Sequence, residues 1–214
     1  MKVYTITDLQ DRLDKDFAWR LKEIADLKSA VRTTTDLRQK TLIRAGVPLL
    51  YAHWEGFVKN AAEIYIAYVS CRRLRFDELK SNFVFLGAKR HIQNMALSKK
   101  AEVSIAVVDF FRNKMNERAE ILISNSIDTE SNLSSVVFKN IVLTLGIDYT
   151  KYESRANFID ISLLKVRNCI AHGAYLQIGG EDYRVLADEV IMLLRWIKND
   201  LENSASADGF KVKV

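Results

Sequence analysis

The feature that most constrains the fold is a helical repeat of apolar residues near each end of the chain. In the N-terminal part, apolar side chains recur at spacings of three and four, at Leu9, Leu13, Phe17, Leu21, Ile24, Leu27 and Val31. In the C-terminal part the same period joins Leu186, Val190, Leu193, Leu194, Ile197 and Leu201. Residues three or four apart share one face of an α-helix, and an apolar face requires an apolar partner. The sequence therefore predicts two amphipathic helices that share a core.

A third long helix is predicted over residues 36–71, and its second half is apolar on nearly all sides. A helix that is apolar all round belongs at the centre of a fold. Pro48 removes a backbone donor, so we expect it to kink or divide this helix. The first helix is predicted to begin with a capping box, because Thr7 is followed three residues later by Gln10.

The rest of the chain predicts shorter helices. They cover residues 76–97 and 101–118, the latter with Ile105, Val108, Phe111 and Met115 along one side, and residues 134–145 and 159–172. The last two are followed by Gly146 and Gly173, which suit a left-handed helix cap. Residues 127–132 are turn-like, and residues 175–183 form a loop or a minimal hairpin.

The predicted fold class is all-α, a bundle of long antiparallel helices. We expect residues 1–202 to form a single domain, because a single proline and eight glycines leave few breaks and nothing reads as a linker. The helical period stops after Glu202, so residues 203–214 are predicted to be a flexible C-terminal tail.

Composition excludes several classes of protein. Cys71 and Cys169 are too far apart for a disulfide framework or a paired zinc site, and with three histidines a structural metal site is not expected. No cofactor motif occurs. There is no leader-like start and no apolar stretch of about 18 residues, so a cytoplasmic protein without a membrane contact is expected. The net charge of +5 suits a polyanionic partner, but it suits solvated helix faces equally well.

The polar residues with the clearest chemical potential lie in residues 163–173. On a helix, Asn168 and His172 are four apart and share a face, and the long side chain of Arg167 can reach round to them. An imidazole can give or take a proton near neutral pH, and a guanidinium suits a phosphate or the charge of a phosphoryl transition state. The alternative is a surface histidine near a helix end and an arginine in an ordinary ion pair.

Four other residues are weaker candidates. His53 and Glu55 are predicted in the central helix, where they could support the motif or pack among their apolar neighbours. His91 lies beside Lys89 and Arg90 on a predicted surface helix. Cys169 is better explained as a small residue filling a helix face than as a thiol nucleophile.

Two segments resemble a known family. The run from Arg167 to Gly173, Arg-Asn-Cys-Ile-Ala-His-Gly, preceded by Phe158-Ile159-Asp160 and Leu163-Leu164, is similar to the signature of the HEPN superfamily, with Asn168 in its polar position. Residues 49–59, Leu-Leu-Tyr-Ala-His-Trp-Glu-Gly-Phe-Val-Lys, resemble the central helix of the bacterial MAE-type HEPN-like nucleases.

The resemblance implies a HEPN-like bundle, a homodimer joined through the motif helix, and metal-independent cleavage of RNA by Arg167, Asn168 and His172. It also implies a role in a toxin and antitoxin pair or in antiviral defence, with an antitoxin protein as a partner. The alternative is a non-catalytic HEPN module that binds nucleotide, RNA or a protein. Chemistry adds a separate argument for the dimer: cleavage through the 2′-hydroxyl needs a proton acceptor and a proton donor, and one chain has one motif histidine.

Overall fold

The computed structural model describes residues 1–123, 126–175 and 177–213. Helices make up 73% of the chain, and the described residues form eight α-helices and no strand, which confirms the all-α prediction. The helices are α1 (Ile6–Thr33), α2 (Asp36–Cys71), α3 (Ser81–Leu97), α4 (Ala101–Asn113), α5 (Ser135–Thr144), α6 (Thr150–Glu153), α7 (Val166–Ala171) and α8 (Gly180–Ser206). A 3₁₀ turn (Phe76–Glu78) precedes α3, and a π-helical segment (Phe158–Lys165) leads directly into α7.

The three long helices α1, α2 and α8 pack against one another and form the body of the bundle. Only Thr34 and Thr35 separate α1 from α2, so these two helices form an antiparallel hairpin. The helix α2 is the central element, as predicted, since its residues 64–69 are all buried. It continues through Pro48, and burial of Val47 and Leu50 on either side stabilises the helix where the proline removes a donor.

The start of α1 lies two residues earlier than the capping box predicted from Thr7 and Gln10. The Thr5 hydroxyl accepts a hydrogen bond from the Asp8 backbone N–H at 2.9 Å. The Asp8 carboxylate accepts one from the Thr5 N–H at 3.0 Å. Threonine recurs at positions 5 and 7, so the sequence contains two overlapping capping patterns, and the structure uses the first.

Aromatic side chains join α2 to the shorter helices α5 and α6. The Trp54 ring lies edge-on to Phe138 with centroids 4.7 Å apart, and Phe138 lies edge-on to Tyr152 at 5.1 Å. All three rings are fully buried. Edge-to-face contacts of this kind add to the hydrophobic stabilisation of the core. The cap predicted at Gly146 is confirmed, since its φ is +70°.

The helix α4 leaves much of its apolar side uncovered. Ile105 is 56% exposed and Val108 is 53% exposed, although the sequence groups them on one apolar face. The helix also ends at Asn113, five residues before the predicted end at Arg118. The residues that follow hydrogen-bond the 3₁₀ turn instead: the Asp77 N–H donates to the Met115 carbonyl at 2.9 Å.

The C-terminal segment differs from the flexible tail that the sequence predicts. The helix α8 continues to Ser206, and Phe210 beyond it is fully buried, with its ring 5.9 Å from that of Tyr68. The backbone is also held, because the Lys80 N–H donates to the Phe210 carbonyl at 3.0 Å and the Val212 N–H donates to the Glu78 carbonyl at 3.0 Å. Phe210 is a single buried side chain and belongs to no helical repeat, so the spacing of apolar residues does not indicate its burial.

Within the part of the chain that the structure describes, no helix combines the length and apolar character needed to cross a membrane.

We predict that Phe210→Ala lowers the free energy of unfolding by about 3–5 kcal/mol, because the substitution empties a site in the core. Urea denaturation measures this change. The matched control is Val212→Ala, at a side chain that is 48% exposed, and it should change the free energy by no more than about 0.5 kcal/mol. Equal urea midpoints for the Phe210 variant and the wild type would show that this segment does not stabilise the fold.

Candidate active site

The motif lies where a π-helical segment meets an ordinary α-helix. Residues 159–172 are predicted as one α-helix, but Phe158–Lys165 is π-helical and only Val166–Ala171 is α-helical. Ile159 and Leu163 in the π segment are fully buried, whereas no residue of α7 is buried. The wider turns change the angle between successive side chains, so the motif residues leave the core while the preceding segment stays anchored. Segments of π-helix are frequent at functional sites.

Arg167 lies on the face of a tyrosine ring from α2. Its guanidinium carbon is 4.0 Å from the centroid of the Tyr51 ring, and its Nη1 donates to the Asn168 Oδ1 at 2.7 Å. Among the described residues, no carboxylate lies within 4.0 Å of this guanidinium. The described residues therefore do not form the ordinary ion pair of the alternative interpretation. A cation–π contact orients the group without neutralising it, so its charge is available to an anion.

Tyr51 connects this arginine to the rest of the fold. Its hydroxyl accepts a hydrogen bond from the Leu133 N–H at 2.6 Å and lies close enough to the Glu55 carboxylate for that charge to act on its pKa. Burial raises the pKa of Tyr51 to about 12, and Glu55 pushes the pKa in the same direction while Arg167 opposes it. The phenol is therefore neutral over the physiological range, and its ring provides a fixed surface beneath Arg167.

Among the described residues, Glu55 is related to the motif through Tyr51. One turn along α2 from Tyr51, its carboxylate accepts a hydrogen bond from the Thr129 hydroxyl at 3.0 Å. The two α2 residues together tie residues 129–133 to the central helix. Tyr51 therefore lies between Glu55 and Arg167.

Asp160 anchors the π-helical segment, a role that no sequence pattern indicates. Its two carboxylate oxygens accept hydrogen bonds from the Ser135 N–H at 2.7 Å and the Ser135 hydroxyl at 2.6 Å. Ser135 begins α5, so a negative charge lies at the positive end of that helix. The only signal for Asp160 in the sequence was its place just before the motif.

His172 lies at the surface, directly after α7. Its backbone N–H donates to the Asn168 carbonyl at 3.0 Å, its side chain is exposed, and no described residue hydrogen-bonds its ring. Gly173 has the predicted left-handed conformation, with φ +78°. Beyond it, the Ala174 N–H donates to the Cys169 carbonyl at 2.9 Å, and Arg44 Nη1 donates to the Ala174 carbonyl at 2.9 Å. Both hydrogen bonds hold the chain that carries the imidazole.

His53 lies on a different side of α2 from Tyr51. Its Nε2 is 2.9 Å from the Glu23 carboxylate of α1, and its ring lies edge-on to Trp19 at 5.3 Å. Burial lowers the pKa of His53, and Glu23 acts in the opposite direction. The structure does not bring His53 together with the motif. His53 and Tyr51 are two residues apart on α2, and residues at that spacing point to different sides of a helix.

Within the described chain, neither of the two remaining candidates, His91 and Cys169, hydrogen-bonds the Arg167 guanidinium. The His91 ring packs against Phe110 of α4, with centroids 5.3 Å apart. Cys169 is a partly buried free thiol on α7. On α7 and the residue that follows it, the described structure therefore has a guanidinium with no carboxylate within 4.0 Å, an amide that hydrogen-bonds it and an exposed imidazole. Such a group can bind a phosphodiester and exchange a proton with it.

Comparison with known proteins identifies the family. Residues 15–203 match the family model described as RiboL-PSP-HEPN, and this range contains every residue of the site. No curated protein and no solved structure matches the chain. The match confirms the resemblance to the HEPN superfamily, through a family other than the MAE-type nucleases. Membership of a HEPN family indicates a function connected with RNA or nuclease activity. The match covers most of the chain, and the chain therefore belongs to the RiboL-PSP-HEPN family.

Proposed function

We propose that this protein is a metal-independent endoribonuclease of the HEPN type and that Arg167, Asn168 and His172 form its catalytic group. The observation that carries the proposal is the guanidinium of Arg167, which is oriented by Tyr51 and Asn168 and has no carboxylate within 4.0 Å among the described residues. A charge prepared in this way stabilises the anionic transition state of phosphoryl chemistry without first breaking an ion pair.

The proposed reaction is an internal transesterification. The 2′-oxygen of one nucleotide forms a bond to the adjacent phosphorus, and the bond from phosphorus to the 5′-oxygen breaks. The 2′-hydroxyl loses a proton to a base and the leaving oxygen gains one from an acid, so the products carry a 2′,3′-cyclic phosphate and a 5′-hydroxyl. His172 takes one of these two proton-transfer roles, Arg167 stabilises the charge at phosphorus, and Asn168 orients Arg167 and the phosphate.

Basic residues near the motif support an RNA substrate. Lys40 and Arg44 of α2 border the loop that follows His172. In the described chain, neither has a carboxylate within 4.0 Å. A polyanion gains affinity from each such charge that contacts a phosphate.

A homodimer through the motif helix would complete the site. The reaction needs two proton-transfer groups, but His53 faces α1 and His91 packs against Phe110. A two-fold axis beside α7 would place two His172 and two Arg167 side chains in one cleft. Exposure of His172 at the end of α7 is compatible with such an interface.

The biological setting that we propose is a cytoplasmic toxin or antiviral-defence effector, held in check by an antitoxin protein. The alternative function is a non-catalytic HEPN module that binds nucleotide, RNA or a protein partner, and the exposed Ile105 and Val108 of α4 favour a protein contact. Incubation of purified protein with total RNA separates the two functions, because only the nuclease produces shorter fragments.

We predict that His172→Ala lowers the rate of RNA cleavage by roughly 10²- to 10⁴-fold and Arg167→Ala by roughly 10²- to 10³-fold, the usual losses for a proton-transfer group and for a charge stabiliser. Cleavage rates of a labelled RNA measure the effect, and circular dichroism checks that helicity is unchanged. The control is Arg195→Ala, at an exposed arginine of α8, and it should cleave at the wild-type rate. Full activity of the His172 variant would contradict the mechanism.

A second prediction concerns the identity of the nucleophile. Activity should survive EDTA and Cys169→Ser, and a substrate with deoxyribose at the cleaved position should resist cleavage because its internal nucleophile is missing. Gel analysis of these reactions provides the measurement. Inhibition by EDTA that magnesium reverses, or ready cleavage of an all-deoxy strand, would require a different reaction.

A third prediction tests the composite site. An excess of His172→Ala chains, mixed with wild-type protein under conditions of subunit exchange, should suppress cleavage, because each mixed dimer has one imidazole in place of two. Specific activity should also fall on dilution. If light scattering shows a monomer whose specific activity does not depend on concentration, the shared-site arrangement is wrong.

A further inference from the structure

Tyr175 is an exposed aromatic residue beside the motif. Its side chain is 77% exposed and lies three residues after His172. It borders a small surface depression together with Lys40, Arg44 and Ile178. No described residue hydrogen-bonds its hydroxyl, and the proposed mechanism does not use it. The side chain therefore stabilises the fold little and remains available to a ligand.

The backbone next to Tyr175 is fixed relative to the motif. The Ala174 N–H donates to the Cys169 carbonyl of α7 at 2.9 Å, and its carbonyl accepts from Arg44 Nη1 of α2 at 2.9 Å. Residue 174 is thus tied to the motif helix on one side and to the central helix on the other. The Tyr175 side chain consequently starts from a defined backbone position, three residues after His172.

The charges around Tyr175 favour a polyanionic ligand. Lys40 and Arg44 adjoin it, neither forms an ion pair within the described ranges, and Arg167 adds a third such cation at the motif. An aromatic ring among cations that follow a backbone is the arrangement that binds single-stranded nucleic acid, because bases stack on the ring while the cations contact phosphates.

We propose that Tyr175 is a stacking platform for an unpaired base next to the cleaved phosphate, and that Lys40 and Arg44 contact the flanking phosphates. The inference rests on the proposed ribonuclease function and specifies its substrate class as single-stranded RNA. A base in a duplex is stacked and paired on both sides, so it cannot lie on the tyrosine ring without leaving the helix. The platform therefore selects loops and unpaired strands, and because every base has a flat face, it selects them with little regard to sequence.

Binding of a short, labelled 2′-O-methyl RNA, measured by fluorescence anisotropy at fixed salt, tests the proposal. This RNA has no free 2′-hydroxyl and cannot be cleaved by the proposed reaction, so binding is measured without turnover. Tyr175→Ala should weaken binding by roughly 5- to 100-fold, the loss expected when one stacked base is released. Tyr175→Phe keeps the ring and should bind within about twofold of wild type.

Controls separate stacking from general effects. Tyr4→Ala removes another exposed tyrosine, which is 53% exposed before α1, and should bind as wild type does. A duplex of the same sequence should bind more weakly than the single strand, and its affinity should not depend on residue 175. Equal urea midpoints for the Tyr175 variants and the wild type establish that each is folded.

The outcomes also distinguish this proposal from the function on which it rests. If Tyr175→Ala binds as wild type does while the wild type cleaves RNA, the platform is disproved and the ribonuclease stands. Equal losses in the Phe and Ala variants would assign the effect to the hydroxyl and overturn stacking, as would a duplex bound as tightly as the single strand. If the wild type neither binds nor cleaves RNA, both proposals fail.

Discussion

The contact between the Arg167 guanidinium and the Tyr51 ring is the interaction on which the arrangement of the site depends. The guanidinium carbon lies 4.0 Å from the ring centroid, and the phenol oxygen accepts a hydrogen bond from the Leu133 backbone. The charge of a guanidinium on an aromatic face is not offset by a neighbouring anion, whereas the carboxylate of an ion pair neutralises the local positive charge. The protein therefore positions a cation in the first turn of α7, where none of the described carboxylates lies within 4.0 Å of it and an anion can bind.

The central helix supplies this support along one face. Arg44, Tyr51 and Glu55 follow one another at spacings of seven and four, so they lie on the same side of α2. Each contacts a different segment around the motif: the loop after His172, the Arg167 side chain and residue Thr129. Ile159 and Leu163 of the π-helical segment are buried and fix the chain before the motif in the core. The motif is thus anchored from the core and supported from α2.

The parts of the fold that can be predicted from the sequence are those that a repeated or local residue pattern marks. The long helices follow from apolar repeats, and the placement of Gly146 and Gly173 follows from the left-handed conformation that ends a helix. The π-helical turns have no signature of residue type, and the burial of Phe210 rests on one side chain, so neither was predicted. For the site, the motif indicates Arg167, Asn168 and His172. The role of Tyr51 cannot be predicted in the same way, because a contact between two helices is not visible in one sequence.

The direct test of the central claim, that this site cleaves RNA through its own 2′-hydroxyl, is the chemical identity of the new ends. Purified protein is incubated with an RNA of defined sequence, and the fragments are analysed by mass spectrometry. The account predicts 2′,3′-cyclic phosphate on the upstream fragments and 5′-hydroxyl on the downstream fragments. Fragments with 3′-hydroxyl and 5′-phosphate ends would show that water, and not the 2′-hydroxyl, attacks the phosphorus, and would contradict it.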